Sequence, residues 1–321
     1  MAVSMSEIRF GIEIETVGRT RHAVANAIQR VVGGTVVHIG TPSSFDPYHV
    51  TDGRGLVWKV VADSSLSNVS SDLRAEIVSP ILAYDDIPLL QDVVRAVRAA
   101  GARCDEKCGI HLHLSHPAVT PKTLANLAKT VYKQEELIYA ALGVTRERLG
   151  RYCRPLDQDF IDRITRTTPR TFEQLNRQWY GRYNPTPQRF DNSRYAILNL
   201  NAFFLRGAIE LRAYAGSLHA GKVKAAIQFG MALLVKALNT QAASAKKRRY
   251  DPASAKYDFR VFLIGALGMN GDEFKTARKH LLTLMPGDSA FKFGRPAGNA
   301  GKVKKIEETT EAGDETLQPS C

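Results

Sequence analysis

Three short stretches of this chain alternate apolar and polar residues strictly, and each sets chemically potent side chains on its polar side. They are Phe10-Gly11-Ile12-Glu13-Ile14-Glu15, Ile110-His111-Leu112-His113-Leu114-Ser115 and Ile209-Glu210-Leu211-Arg212. Successive side chains of an extended strand point to opposite faces, so each stretch reads as a strand with one packed and one charged face. Glu13 and Glu15 then project together, as do His111 with His113 and Glu210 with Arg212. Singly, each pair has a bland explanation: solvent-facing acids, hydrogen-bonded surface histidines, an in-strand ion pair. Three such strands in one chain are what a single sheet with a packed face and a chemical face requires.

The rest of the pattern supplies partners for that sheet. A strand over 8–16 leads into a helix over 21–32, with Val24, Ile28, Val31 and Val32 in helical spacing before Gly33 and Gly34 stop it. A strand at 35–38 and a hairpin at 47–62, turning on Asp52-Gly53-Arg54-Gly55, precede a strand at 74–78. Helices are expected near 86–100, where Ile87, Leu90, Val94 and Val97 form one stripe, and from Pro121 to Leu142. Residues 151–192, rich in Arg, Pro, Thr and Tyr, read as a lid region with short helices near Phe160 and Phe172. Strands at 196–201 and 207–213, a long helix at 219–244 and a smaller helical pair at 259–267 and 272–284 follow. Strands joined by hairpins and followed by helices favour an α+β domain, an antiparallel sheet with helices on its outer face. The division expected is a catalytic domain over 1–245 that includes the lid region, a helical extension over 246–290 and a flexible tail over 291–321.

Composition narrows the class. A length of 321 residues with 44% hydrophobic and 24% charged residues excludes fibrous and wholly disordered chains. The most apolar helical stretch, 220–243, carries Lys222, Lys224 and Lys236, so no membrane span is expected and a cytoplasmic protein is. Cys104, Cys108, Cys153 and Cys321 make no paired CxxC; the gap between the first two would accommodate a metal, but free thiols are the plainer reading. The net charge of +12 attracts polyanions, and Lys246-Lys247-Arg248-Arg249 concentrates some of it.

Carboxylates gathered with an imidazole suit a hard dication such as Mg2+ or Mn2+ better than structural zinc. Lys59, Asp63, Ser65 and Glu76 add a cation, two acids and a hydroxyl around the hairpin. Arginine and lysine beside such ions point to phosphoryl chemistry. Neither a Gly-x4-Gly-Lys-Ser/Thr loop nor a Gly-x-Gly-x-x-Gly turn is present, so P-loop and Rossmann folds lack support.

In order along the chain, Phe10 to Glu15, the block from Lys59 through Asp63 to Glu76-Ile77-Val78-Ser79-Pro80, Gly109 to His113, and Ile209 to Arg212 form an ordered set. It resembles the amidoligases of the glutamine synthetase-like carboxylate–amine ligase superfamily. The resemblance runs from Ile8 to Leu238. It implies a curved antiparallel sheet, like the glutamine synthetase catalytic domain, whose concave face holds ATP and divalent cations. By motif match Glu13, Glu15, Asp63, Glu76, His111 and Glu210 correspond to the metal ligands. His113 corresponds to a nucleotide or phosphate contact and Arg212 to the arginine that stabilises the phosphoryl group. Lys59 belongs with Arg212 among the catalytic residues, while Arg194 and Asn199 match polar nucleotide-binding positions loosely. One departure stands out: Asp63 is followed by Ser64-Ser65 and a polar stretch, so Asp72 competes with Asp63 as the ligand there.

The implied activity is ATP-dependent joining of a carboxylate, peptide-like or otherwise, to an amine through an acyl phosphate, with a base sought among Asp157, Asp159 and Asp191. Two other classes compete. A basic nucleic-acid-binding protein would use the arginines of the lid region and Lys246 to Arg249, and a metal-dependent hydrolase would use His111, His113 and the acids without nucleotide. The sequence leaves the substrates and the oligomeric state open.

Overall fold

Every pairing in the sheet is antiparallel, which lets one face be packed while the other carries charge. The computed structural model describes residues 2–41, 45–66 and 68–295; of the tail expected over 291–321, residues 296–321 lie outside them. Its strands are β1 (Arg9–Val17), β2 (Thr35–His38), β3 (Tyr48–Thr51), β4 (Val57–Val61), β5 (Arg74–Val78), β6 (Gly109–Ser115), β7 (Leu198–Asn199) and β8 (Ile209–Ala215). They form one open sheet in the order β2-β3-β4-β5-β1-β6-β8-β7. The three strands that carry the alternating pairs, β1, β6 and β8, are therefore neighbours.

Helices α1 (Arg21–Val32), α2 (Ile87–Ala99), α3 (Pro121–Leu142) and α8 (Ala220–Asn239) contribute most of the packing layer. The apolar members of the alternation, Phe10, Ile12, Ile14, Ile77, Ile110, Leu112, Leu114, Ile209 and Leu211, are all buried in one core with them. Each such side chain contributes about 1.5–3 kcal/mol when fully removed from water. Helix α8 comes especially close. A Cβ on Gly230 would stand 2.3 Å from Leu112 Cδ2 and 3.1 Å from Leu211 Cδ1, so the helix needs glycine at that crossing.

The lid region is more regular than its composition suggests. Helix α4 (Arg146–Arg151) leads into it, and it contains α5 (Gln158–Arg166) and α6 (Phe172–Tyr180). Asp157 and Thr171 cap α5 and α6 by accepting from Phe160 N and Gln174 N. Phe160 meets Trp179 edge to face at 4.9 Å, and Phe160, Ile161, Ile164 and Leu175 join the main core. Glu135 on α3 accepts from Leu156 N at 2.8 Å and pairs with Lys247 at 3.1 Å, which fixes the start of this region.

Elsewhere the boundaries shift for identifiable reasons. Helix α8 stops at Asn239, not 244, because Asn126 binds the chain beyond it: its Nδ2 donates to Thr240 O at 2.8 Å and its Oδ1 accepts from Ala243 N at 3.1 Å. The strand expected at 196–201 shrinks to two residues because α7 (Asn201–Arg206) begins there. The C-terminal pair is α9 (Ala255–Val261), continued by a π-helical turn at Phe262–Ala266, and α10 (Lys275–Thr283). Phe259, Leu263, Met269 and Leu281 belong to the same core as the sheet. Two members of the basic run are ion-paired: Lys247 with Glu135, and Arg248 with Asp258 at 3.2 Å. Among the described residues, no helix is long and apolar enough to cross a membrane.

Candidate active site

Register brings the polar pairs together. Glu13 on β1 lies opposite His111 on β6, Glu15 opposite Glu76 on β5, and His113 opposite Glu210 on β8. Between Leu112 and Ile110 the β6–β8 register shifts by one residue, so Arg212 and Ala213 together face His111. This bulge keeps Leu211 and Tyr214 in the core while Glu210 and Arg212 face the site.

Contacts are short and mostly buried. His111 Nδ1 lies 3.0 Å from Glu13 Oε2 and 3.9 Å from Glu210 Oε1, while its Nε2 is 3.7 Å from Glu15 Oε1. His113 Nε2 is 3.2 Å from Glu13 Oε1 but makes no well-directed hydrogen bond, although that nitrogen is buried. Arg212, 5% exposed, donates from Nη1 to Glu210 Oε1 at 2.5 Å and from Nε to Tyr152 O at 3.4 Å. Asn199 Nδ2 donates to the other Glu210 oxygen at 2.6 Å, and its Oδ1 accepts from Ala202 N, so this amide orients Glu210. Gly109 N–H donates to Glu15 Oε2 at 2.6 Å.

The charge balance divides the cluster. Burial opposes ionisation of Glu13, but contacts with His111 and His113 outweigh it and hold the carboxyl well below its ordinary range. Burial likewise opposes ionisation of Glu210, and the charges of Arg212, His113 and His111 win. His113 is pushed up despite burial by Glu13 and Glu210. On the other side burial raises Glu15, aided by Asp63, and raises Glu76 strongly, reinforced by the charges of Glu13, Asp63 and Glu15. These groups have too little positive charge near them.

Such a donor set fits divalent cations. Ligand atoms of Glu13, His111 and Glu210 lie within 4.8 Å of one another, and so do those of Glu15, Glu76 and His111. Two overlapping groups of carboxylate oxygens sharing one imidazole match hard ions such as Mg2+ or Mn2+. Burial among like charges raises Glu76 strongly, and a divalent cation there would relieve that repulsion.

Other candidates occupy the rim or lie apart. Asp63 faces Glu15 and Glu76 closely enough to perturb both, and its Oδ1 accepts from Ser65 N at 2.7 Å. Asp72 is turned to solvent and bonded to the Ser70 hydroxyl, which leaves Asp63 as the acid at the cluster. Lys59 is exposed on β4, in register with Val78, which pairs with Glu13; β5 thus separates it from the cluster. Arg194 sits close enough to Arg212 and Glu210 to feel both; burial, then Arg212, lowers its pKa. Asp157 and Asp191 serve as caps, accepting from Phe160 N and Ser193 N, and Asp159 is exposed. Cys104 Sγ donates to Glu15 O at 3.3 Å; Cys108 is buried and bonded to Asp105, and both are free thiols.

Arg148 was not visible as a site residue in the sequence. It is buried and donates to Cys108 O at 3.2 Å and Tyr214 O at 3.3 Å, clasping the ends of β6 and β8. A Cβ on Gly109 would stand 2.7 Å from Arg148 Nη2, so the glycine that bonds Glu15 also makes room for this clasp.

Residues 6–234 match the protein family described as "Putative amidoligase enzyme", and the chain belongs to that family. A search of curated proteins finds no match. Among solved structures, a bifunctional glutathione synthetase from Pasteurella multocida is similar at 11% identity and a TM-score of 0.37. The alignment covers 87% of this chain and 47% of that one, so this chain spans about half its length. A likeness of that size carries no argument about chemistry.

Proposed function

We propose that this protein is an ATP-dependent carboxylate–amine ligase that forms an amide through an acyl phosphate. The observation that carries the reading is the convergence of Glu13, Glu15, Glu76, Glu210 and His111 from four adjacent strands beside a buried arginine. Family membership supports it, and a curved sheet of the glutamine synthetase type belongs to the same proposal. Divalent cations held by the two overlapping ligand groups, with Asp63 at the rim, would neutralise the phosphates of ATP as the γ-phosphoryl group transfers.

The chain's own residues have distinct parts. A substrate carboxylate oxygen bonds to the γ-phosphorus and ADP leaves; the amine nitrogen then bonds to the acyl carbon and phosphate leaves. Arg212, held between Glu210 and Tyr152 O, presents its guanidinium to the phosphoryl oxygens without needing to reorganise. His113 would contact phosphate, Arg194 beside Arg212 would face the acid substrate, and Asn199 fixes Glu210. Lys59 offers an ammonium for the substrate carboxylate on the same face.

The nucleic-acid reading is weakened by the ion pairs of Lys247 with Glu135 and Arg248 with Asp258, which engage two of the four basic residues in that run. Incubation with ATP, Mg2+ and pooled acids and amines should release ADP and give a product lighter than the summed substrates by one water. Bond cleavage with metal alone, without ATP, would instead identify a hydrolase in this cluster.

A further inference from the structure

The segment leading from the lid region into β7 presents two arginines, Arg189 and Arg194, that form no ion pair among the described residues. Arg189 stacks over the Phe190 ring at 5.4 Å and over Phe45 at 5.9 Å. Arg194 lies over Phe190 at 5.3 Å and over Tyr195 at 5.5 Å, and Arg212 is 5.9 Å from the same Tyr195 ring. Guanidiniums and rings thus alternate from the surface, where Phe190 is 69% exposed, down to the buried carboxylate Glu210.

This ridge is firmly built. Arg154 N donates to Tyr195 O at 2.7 Å and Ile197 N to Arg154 O at 2.9 Å. Trp179 Nε1 donates to Ser193 Oγ at 3.0 Å, and Asn201 Nδ2 to Gln188 O at 3.1 Å. Among the described residues, neither Arg189 nor Arg194 pairs with a carboxylate; Arg194 donates only to Arg189 O, at 3.2 Å. Holding cations side by side without counter-charge is unfavourable unless a ligand supplies the anions. Between Lys133 and Lys222 the chain has 13 arginines and no lysine, which selects the planar fork that grips oxyanions in pairs.

We propose that Arg189 and Arg194 form a subsite for an acidic peptide, binding its flanking side-chain carboxylates while its reacting carboxylate lies at Arg212. The assignment rests on the ligase reading above, which already requires a substrate carboxylate beside this ridge. Side chains one or two residues apart on an extended peptide, at about 3.3 Å of rise per residue, suit guanidiniums that share a ring. A nucleic acid strand fits less well. Strand-binding platforms stack bases on free ring faces, and here guanidiniums lie over the rings.

The test is fluorescence anisotropy of labelled hexaglutamate, labelled glutamate and labelled oligothymidylate with the full-length protein, at low and high salt. Hexaglutamate should bind more tightly than glutamate. Arg189→Ala should weaken the peptide about fivefold, Arg189→Lys should recover only part of that, and glutamate should be unaffected. An unchanged melting temperature in Arg189→Ala confirms that the fold is intact. Tighter binding of oligothymidylate with the same loss in Arg189→Ala would overturn the proposal in favour of a nucleic acid, and absence of hexaglutamate binding would overturn it outright. ATP turnover with pooled acids is scored separately. Peptide binding without turnover removes the ligase reading and leaves the subsite, whereas turnover indifferent to Arg189 does the reverse.

Discussion

The two halves of the acidic cluster sit on one sheet, yet they are in opposite electrostatic conditions. Around Glu13 and Glu210 the protein supplies its own positive charge through Arg212, His111 and His113, and both carboxyls are held below their ordinary range. Around Glu15 and Glu76 it supplies mainly more negative charge, from Asp63 and Glu13, and both are raised. One half is assembled ready for use, while the other stores repulsion that an added cation would relieve. The difference teaches where the binding free energy of a cation at the proposed site would come from: relief of like-charge crowding that folding imposed.

Substitutions can break this contrast. Glu13→Ala removes the carboxylate that touches both histidines, and ATP turnover should fall on the order of 10³-fold, read as ADP release. Arg212→Leu leaves Glu210 buried without its ion pair and should destabilise the fold by about 3–5 kcal/mol in urea unfolding. Glu76→Gln acts on the crowded half. It should raise the melting temperature of metal-free protein near neutral pH while weakening Mn2+ binding by about 10–100-fold in calorimetry.

The pH dependence sharpens the same contrast. Glu76 keeps its proton in the fold to higher pH than its ordinary 4.5, so its contribution to metal-free stability is complete below that value. It is lost as pH rises through the raised pKa, and a cation replaces that proton. Mn2+ affinity should therefore climb with pH across this window, by at most about tenfold per unit for one proton, and Glu76→Gln should flatten the climb. Glu13 and Glu210 behave oppositely, stabilising above their ordinary 4.5 and losing that as pH falls through their lowered values. The smallest effect belongs to Asn199→Ala, which frees one oxygen of Glu210 and should cost about fivefold in turnover.

Much of this face was readable in advance because strand alternation is a strictly local rule. Glu13 with Glu15, His111 with His113, and Glu210 with Arg212 needed only a period of two. What the period could not give was register, which sets Glu13 against His111 and Glu15 against Glu76. Nor could it give the bulge, which changes the phase of β8 partway along. Arg148 escaped because its partners are backbone carbonyls distant in the chain, which leave no trace in residue types. The helices of the lid region were harder to see because each is nine residues or fewer, although Asp157 before Phe160 and Thr171 before Gln174 mark their starts. A signal for the arginine ridge did exist: Arg189-Phe190 and Arg194-Tyr195 repeat an arginine-aromatic doublet five residues apart.

The extra residue in β8 has an implication for what this strand tolerates. Tyr214 now donates its hydroxyl to Ala226 O within the hydrophobic layer. Excising Ala213 would leave that phenol opposite Ile110 on the packed face, because a strand without the extra residue pairs Arg212 alone with His111. A one-codon deletion there would straighten the strand while leaving every proposed ligand on its own side of the sheet.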